Sequence, residues 1–240
     1  MIQTANKIES LRARLQEVRA RIGAAALRSH RQPEEITLVA VSKTHPAEIV
    51  SEAIAAGATD LGENRVQEAE GKIPEVGRHV ARWHLIGHLQ SNKARRAVEL
   101  FDVIHSLDSV ALARRLDRMC VELGRKELPV LIQVDLGREA TKSGADVAEL
   151  PKLVDAFKDC ERLRLVGLMT LPPYFEDAEQ VRPFFRELRE LRDELASRGA
   201  FGDGRGELSM GMTHDYEIAI EEGATIVRVG TAVFGARAKL

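Results

Sequence analysis

The stretch "ITLVAVSKTHP", residues 36–46, decides the fold because it joins a buried strand to a charged amine. Residues 36–41 form a largely apolar run rich in β-branched side chains. Such a run is typical of a strand covered on both faces, as in a parallel sheet. Lys43 follows the run, and Pro46 marks the start of a helix. The stretch therefore predicts a strand–helix unit with a lysine at the end of its strand.

The same strand–helix unit recurs along the whole chain. We expect strands at 36–42, within 58–64, and at 82–87, 101–107, 128–136, 163–171, 207–212 and 225–230. We expect helices at 46–56, 65–72, 90–99, 109–123, 146–159, 177–198 and 214–222, with a short one after residue 230. Alternating strands and helices imply a parallel sheet, and a closed barrel of eight such units typically takes about 250 residues. The α/β pattern predicts a (β/α)8 TIM barrel, with an open, doubly wound sheet as the alternative.

An additional helix precedes the barrel. Ile8, Leu11, Leu15, Val18 and Ile22 recur at spacings of three and four, which predicts an amphipathic helix over 4–28. We expect this helix to pack on the barrel of residues 36–237, with a short coiled coil as the alternative. No linker is evident, so residues 1–240 are predicted to form a single domain.

Composition excludes several classes of protein. The 35 basic and 37 acidic residues nearly balance, which argues against a nucleic-acid-binding protein that relies on a basic face. No apolar stretch approaches the length of a membrane span, and the N-terminus lacks the apolar core of a signal peptide. The two cysteines, Cys120 and Cys160, form no CxxC motif. These features predict a cytoplasmic protein that does not bind a membrane.

Polar and small residues gather where the predicted strands end. The set consists of Lys43, Glu63, Asn64, His84, residues 87–92, His105, Ser106, Asp135, Met169, Thr170, Ser209, Gly211, Thr213, Arg228, Gly230 and Thr231. The active sites of TIM barrels lie at the C-terminal ends of the strands. We therefore expect one functional site at that rim.

Lys43 is the most informative member of this set. A lysine held at a strand end is partly desolvated, and desolvation lowers an ammonium pKa from about 10.4. A neutral amine can form a Schiff base with a carbonyl compound. The alternative is a surface lysine whose alkyl chain lies along apolar residues while its charge stays in water.

Two neighbouring turns predict an anion site. In "VRVGTAVFGAR", residues 227–237, Gly230 lets the backbone approach a ligand, and Thr231 offers a hydroxyl and can cap the following helix. In "SMGMTHD", residues 209–215, Gly211 and Thr213 repeat this arrangement. The expected anion is a phosphate, because a helix N-terminus after strand eight is a common phosphate site in such barrels.

A Schiff-base lysine and a phosphate site at one barrel mouth favour pyridoxal 5′-phosphate (PLP), which carries both an aldehyde and a phosphate. A phosphosugar aldolase or isomerase that uses the same lysine is the alternative. No metal site is predicted, since Gly87 interrupts the helical spacing of His84 and His88. His105 either faces the barrel mouth or closes a polar layer inside the barrel.

The chain resembles a known family over residues 36–237. The resemblance rests on "VAVSKTHP", "LGENRVQE", "WHLIGHLQSNK", "TKSG", "GLMT", "SMGMTHD" and "VRVGTAVFGAR", which occur in this order along the chain. These motifs are similar to those of the pyridoxal phosphate homeostasis proteins. The resemblance implies a barrel like the N-terminal domain of alanine racemase.

The resemblance also implies roles for individual residues. Lys43 would carry PLP as a Schiff base, Asn64 would lie near the ring, and Arg228 would lie near the pyridine nitrogen. The phosphate would be held by residues 209–213, together with the turn after strand eight. The cofactor-binding set is then Lys43, Asn64, Met210, Gly211, Thr213, Arg228, Gly230 and Thr231. Thr213 replaces a usual serine, and Arg65 replaces a common tyrosine.

Members of this family are cytoplasmic, usually monomeric, and store, buffer or deliver PLP without an established enzyme activity. The resemblance thus implies that the partners are PLP and apo PLP-dependent enzymes. Arg228 disfavours carbanion chemistry such as transamination and leaves racemisation open, because a guanidinium stays protonated and is a poor partner for a protonated pyridine nitrogen. The alternative is a small PLP-dependent amino-acid racemase or lyase.

Overall fold

The structure, a computed structural model, describes residues 2–137 and 143–235. In this part of the chain, eight parallel strands pair in sequence order and close into a barrel through β8 and β1. The strands are β1 (Thr37–Val41), β2 (Asp60–Glu63), β3 (Arg82–Leu85), β4 (Val103–Leu107), β5 (Leu128–Val134), β6 (Leu163–Thr170), β7 (Glu207–Ser209) and β8 (Ile226–Val229). The predicted TIM barrel is confirmed, and the open-sheet alternative is wrong.

Helices cover the outside of the barrel. The α-helices of the described residues are α1 (Ile2–Arg28), α2 (Ala47–Ala55), α3 (Val66–Val76), α4 (Ala94–Leu100), α5 (Val110–Glu122), α6 (Leu150–Asp155), α7 (Arg182–Ser197), α8 (Tyr216–Glu221) and α9 (Thr231–Phe234). Short 3-10 segments lie at Pro33–Glu35, Ser91–Lys93, Val147–Glu149, Ala156–Asp159 and Ala178–Val181. Residues 141–142 of the "TKSG" motif and residues 236–237 of the last motif lie outside the described residues.

The helix starts near two of the predicted site residues differ from expectation. α8 begins at Tyr216 with Asp215 as its N-cap residue, so Thr213 does not cap it. The Asp215 carboxylate accepts the N–H of Met212 at 2.6 Å, which closes the turn before the helix starts. Gly230 is the N-cap residue of α9, and Thr231 is that helix's first residue. The two predicted threonine caps are therefore wrong.

α1 packs on the barrel's outer layer against α2, α8 and α9. Its apolar residues from Leu11 to Ile22 join the main core. Arg14 Nε donates to the carbonyl of Val233 at 2.7 Å, and Arg28 pairs with Glu221 of α8 at 2.9 Å. The long helix thus supports the two short helices that follow β7 and β8.

The strand register brings the ends of β1, β2 and β8 together. Ala40 pairs with Val229 of β8, and Val41 pairs with Gly62 of β2. Lys43 and Asn64 each lie two residues beyond paired positions, and Gly230 directly follows one. These three residues therefore lie at one rim, because the strands of a parallel barrel all end on the same side.

The barrel interior has an apolar cluster and a polar one. Val39, Val103, Leu131, Met169 and Ile226 form a buried apolar cluster separate from the main core, which lies between strands and helices. The polar cluster includes His84, His105, Ser209 and Arg228, all almost completely buried. No helix of the described residues is both long and apolar enough to cross a membrane.

Candidate functional site

A cavity of about 630 Å³ opens at the C-terminal ends of the strands. Six of the predicted cofactor-binding residues line it, namely Lys43, Asn64, Thr213, Arg228, Gly230 and Thr231. This volume lies within the range of about 300–1,000 Å³ that small-molecule sites occupy. The cavity brings the predicted amine and the predicted anion-binding turn into one space.

A larger cavity, of about 740 Å³, lies at the opposite end of the barrel. Its arginines are committed to other groups: Arg189 pairs with Glu222 at 2.9 Å, and Arg31 donates to the carbonyl of Ala224 at 2.7 Å. Arginines that are already paired in this way leave little free charge for a ligand. We therefore place the candidate site at the cavity beside Lys43.

A buried ion pair holds the chain just before Lys43. Lys72 Nζ of α3 donates to Glu63 Oε1 at 2.6 Å and to the carbonyl of Ser42 at 2.9 Å. Ser42 Oγ donates to the same Glu63 oxygen at 2.6 Å. Burial raises the pKa of Glu63, and the contacts with Lys72 and Ser42 offset this only in part. These bonds fix the end of β1, so Lys43 projects from a rigid base.

The residue after Lys43 has an unusual backbone. Thr44 has φ of +67°, a left-handed conformation that β-branched residues rarely adopt. Its N–H donates to Glu68 Oε2 at 3.1 Å, and the next side chain, His45, stacks on Phe234 of α9 with ring centroids 4.7 Å apart. Strained backbone persists where the surroundings over-determine it, and it clusters at functional sites. The stacking also ties the Lys43 loop to the turn after β8.

The turn after β7 builds one wall of the cavity. Met210 is buried and donates its N–H to the carbonyl of Ile226, while the carbonyl of Gly211 accepts the N–H of Arg228. Met210 and Gly211 are not among the residues that line the cavity, whereas the half-buried Thr213 is. Met210 and Gly211 therefore shape the turn that holds Thr213 at the cavity.

We expect Gly211→Ala to destabilise the protein, because this turn has no room for a side chain. Gly211 has φ of +90°, and an added Cβ would lie 2.6 Å from the Cβ of Ala219 and 2.9 Å from the Cα of Tyr216. Overpacking of this kind costs about 1–3 kcal/mol. Gly202→Ala is the matched control, since Gly202 also has a positive φ but nothing lies near its Cβ position. Denaturant unfolding that gives equal losses for both variants would contradict the steric explanation.

Gly230 and Thr231, which follow the neighbouring strand β8, also line the cavity. An added Cβ at Gly230 would make only ordinary contact with Val41, at 3.5 Å, so packing does not require a glycine there. Thr231 is exposed to the cavity side of the rim, at the first position of α9. The N–H groups in the first turn of a helix have no partner within the helix, which suits them to bind anions.

Arg228 lies in the wall between these two turns and is 2% exposed. Its guanidinium donates to Ser209 Oγ at 2.6 Å and to the carbonyl of Thr170 at 2.9 Å. Burial lowers its pKa to about 10, and nearby Asp215 opposes this shift. The group is still protonated at neutral pH, so it presents only hydrogen-bond donors.

Gly87, in the loop after β3, packs closely against Asn64. An added Cβ at Gly87 would lie 2.3 Å from the carbonyl oxygen of Asn64, so only glycine allows this close approach. Arg65 is exposed, serves as the N-cap residue of α3, and is not among the residues that line the cavity. It therefore lies outside the wall of the site.

Several residues expected at the rim lie deeper in the barrel. His84, His105, Thr170 and Ser209 are almost completely buried and do not line the cavity. His88 is instead half-exposed, with Nδ1 3.3 Å from Asp108 Oδ2, so it shares no site with His84. Within the described residues, no group of three or more His, Cys, Asp or Glu side chains could hold a metal ion.

The predicted cofactor-binding set omits other polar residues of the cavity wall. Gln133 of β5, His45, Tyr174 and Asp215 also line the cavity. Gln133 had a signal, since it is the one polar side chain within the apolar run of residues 128–134. Tyr174 had none, because it lies in the proline-containing segment after β6, whose path the sequence does not specify.

Comparison with known proteins first defines the class of this barrel. The family model of the alanine racemase N-terminal domain matches residues 11–238. The pyridoxal phosphate homeostasis proteins of Escherichia coli strain K12 and Pseudomonas aeruginosa are 46% and 47% identical to this chain. Those alignments cover 93% and 92% of this chain and 95% and 93% of the relatives.

A solved structure with a similar fold carries the cofactor. PipY of Synechococcus elongatus PCC7942, solved with PLP bound, is 42% identical, with a TM-score of 0.79. The match covers 94% of this chain and 100% of PipY. The chain belongs to the pyridoxal phosphate homeostasis protein family, and the resemblance seen in its motifs is confirmed.

Proposed function

We propose that this chain binds PLP through a Schiff base on Lys43 and takes part in intracellular PLP homeostasis by storing, buffering or delivering the cofactor. The observation that carries the proposal is the single cavity in which Lys43 faces the same space as Gly230 and Thr231. An amine and an anion-binding turn at one barrel mouth suit a ligand with an aldehyde and a phosphate. The cofactor-bound structure of PipY supports the same choice.

The residues present fit PLP in chemical type. Lys43 supplies an amine, the hydroxyls of Thr213 and Thr231 supply polar contacts for a phosphate, and the first turn of α9 supplies N–H groups. Arg228 supplies a charged donor to an unprotonated ring nitrogen. Met210 and Gly211 contribute through the turn they build, and Asn64 offers an amide beside the cavity.

The arrangement favours a carrier over a catalyst. When bound, PLP supplies an aldehyde and a ring that can withdraw electrons from a covalently attached amine. A carboxylate beside the ring nitrogen would keep that nitrogen protonated and strengthen the withdrawal, whereas Arg228 beside it would keep it unprotonated. His105, a conceivable base for a racemase, is fully buried and is not among the cavity-lining residues. No observation therefore favours the racemase or lyase.

The proposal extends to the protein's surroundings. The chain acts as one PLP-binding domain over residues 1–240, works as a monomer in the cytoplasm, and gives PLP to apo PLP-dependent enzymes. The open cavity supports a carrier role, because a ligand held at the rim can leave without large movements of the barrel core. The proposal assigns no catalytic residues.

Two measurements test the proposed function. Titration of the full-length protein with PLP should produce the near-visible absorbance band of a Schiff base, with one PLP per chain. The loaded protein, mixed with an apo PLP enzyme and an excess of a PLP-trapping competitor, should reactivate that enzyme. Absence of the band would overturn PLP binding, and reactivation that the trap abolishes would overturn direct delivery.

A further inference from the structure

A chain of hydrogen bonds crosses the barrel interior from the cavity to the opposite rim. Arg228 NH1 donates to Ser209 Oγ at 2.6 Å, and Ser209 Oγ lies 2.8 Å from His105 Nδ1. His105 Nε2 lies 2.9 Å from His84 Nδ1. His84 Nε2 lies 3.0 Å from Asp60 Oδ1, at the first residue of β2. The chain thus connects a cavity residue to a carboxylate at the far end of the barrel.

The two ends of this chain fix the direction of every bond within it. A guanidinium has donors only, so Ser209 Oγ accepts from Arg228, and with neutral histidines the carboxylate at the other end leaves the Ser209 proton for His105 Nδ1. His105 then carries its proton on Nε2 and donates to His84 Nδ1. His84 in turn donates from Nε2 to Asp60, which as a carboxylate has acceptors only. Both histidines therefore adopt the Nε2–H tautomer.

The charges along the chain agree with this direction. Burial lowers the pKa of His84 and lowers that of His105 well below its ordinary value, so both rings are neutral at neutral pH. Burial alone would raise the pKa of Asp60, but hydrogen bonds from His84 and Thr59 bring it below its ordinary value. Asp60 is therefore ionised, and the chain runs from one cation to one anion with neutral groups between.

The structure assigns Asp60 as a positioning residue that fixes the tautomers of His84 and His105 and, through Ser209, the orientation of Arg228 in the cavity wall. Its part in PLP binding rests on the proposed function, whereas the tautomers and the order of Arg228 do not. Without an acceptor at position 60, His84 can carry its proton on Nδ1 and donate to His105 instead. Ser209 would then receive two donors, and its own proton would lose its acceptor.

The barrel fold itself does not require this chain of hydrogen bonds. The other interior cluster, which includes Val39 and Leu131, is apolar and similarly buried. Apolar side chains fill such interiors in most barrels of this type. Polar groups in the same space are costly unless every member is satisfied, and here every ring nitrogen of both histidines has a partner.

The test compares the wild-type chain with Asp60→Leu, which replaces the acceptor by a branched apolar side chain. Glu34→Leu is the control, since Glu34 is an exposed carboxylate beside the same small cavity as Asp60 but lies outside the chain of hydrogen bonds. Long-range 1H–15N correlation spectra of the cofactor-free proteins report the histidine tautomers. Resonances of the Arg228 guanidinium in the same samples report its rotational order, and equilibrium dialysis gives the dissociation constant for PLP.

We expect both histidines to be Nε2–H tautomers in the wild type and in Glu34→Leu, with slow rotation of the Arg228 guanidinium. In Asp60→Leu we expect the Nδ1–H tautomer at His84, faster rotation of Arg228, and a PLP dissociation constant raised about three- to tenfold, the scale of one net hydrogen bond.

Each arm can overturn the inference separately. Protonated Nδ1 in either wild-type histidine would overturn it even if Asp60→Leu failed to fold. Unchanged tautomers or an unchanged Arg228 in a folded Asp60→Leu would overturn it as well. A wild type that binds no PLP would overturn only the proposed function. The histidine tautomers and the rotational order of Arg228 would still test whether Asp60 positions the cavity wall.

Discussion

Lys43→Ala is expected to abolish the Schiff-base absorbance band and to leave PLP bound only by non-covalent contacts. The amine is the group that forms the covalent bond, and the phosphate contacts proposed for Thr213, Gly230 and Thr231 survive the substitution. Borohydride treatment followed by mass spectrometry should label the wild type at Lys43 and leave the variant unlabelled. Retention in equilibrium dialysis should fall by at least about tenfold, which corresponds to 1.4 kcal/mol or more of binding free energy.

Two other substitutions sharpen this prediction. Lys126→Ala is the control, because Lys126 is exposed and is not among the residues that line the cavity. It should behave as the wild type does. Arg228→Ala should weaken PLP retention less than Lys43→Ala does, since it removes a polar contact but keeps the amine. A Schiff base that persists in Lys43→Ala, or the reverse order of the two variants, would contradict the assignment of Lys43.

The barrel and its rim could be predicted from local signals. The apolar run of 36–41 with Lys43 just after it is one local signal, and the glycine–threonine pair at 230–231 is a second local signal at the other end of the barrel sequence. Parallel pairing then brings the strand ends together without further information, because all strands of such a barrel point the same way. This is why six predicted cofactor-binding residues line one cavity.

The polar interior could not be predicted in the same way. Strand alternation indicates that His105 and Ser209 point to one face, but they are 104 positions apart, and no local pattern pairs them. The bond between them depends on the register around the closed barrel. Because the sequence does not give this register, it left open whether His105 faces the barrel mouth or a polar layer inside the barrel. The structure places His105 in the polar layer.

The helix caps were predicted wrongly for a local reason. Thr213 and Thr231 have a residue type that often caps helices, yet the turn after β7 closes through Asp215, and α9 starts after Gly230. Neither Asp215 nor Gly230 makes a side-chain capping bond, so these helix starts are set by the path of the turn, which the residue type of a threonine does not reveal. Both threonines nonetheless line the cavity.

Lys72→Met is expected to have the largest effect on stability. It leaves the carboxylate of Glu63, which is completely buried, without its cation, and it leaves the carbonyl of Ser42 without a donor. Removal of one partner of a buried ion pair costs about 3–5 kcal/mol of unfolding free energy. Urea unfolding monitored by circular dichroism measures this loss. Lys158→Met is the matched control, because Lys158 forms an ion pair of similar length, 2.7 Å, at the exposed surface, and little change is expected there.

The double variant Glu63→Leu/Lys72→Met separates the cost of an unpaired charge from the cost of lost contacts. Replacement of a whole buried pair by apolar side chains is often neutral or stabilising, so most of the lost stability should return. The remaining deficit comes from Ser42, whose hydroxyl and carbonyl each lose a hydrogen bond worth about 1 kcal/mol. A double variant as unstable as Lys72→Met would show that the pair contributes through its geometry at the end of β1. A loss below about 1 kcal/mol in Lys72→Met would instead mean that Glu63 is readily protonated or solvated, and that Lys43 does not depend on this ion pair for a rigid base.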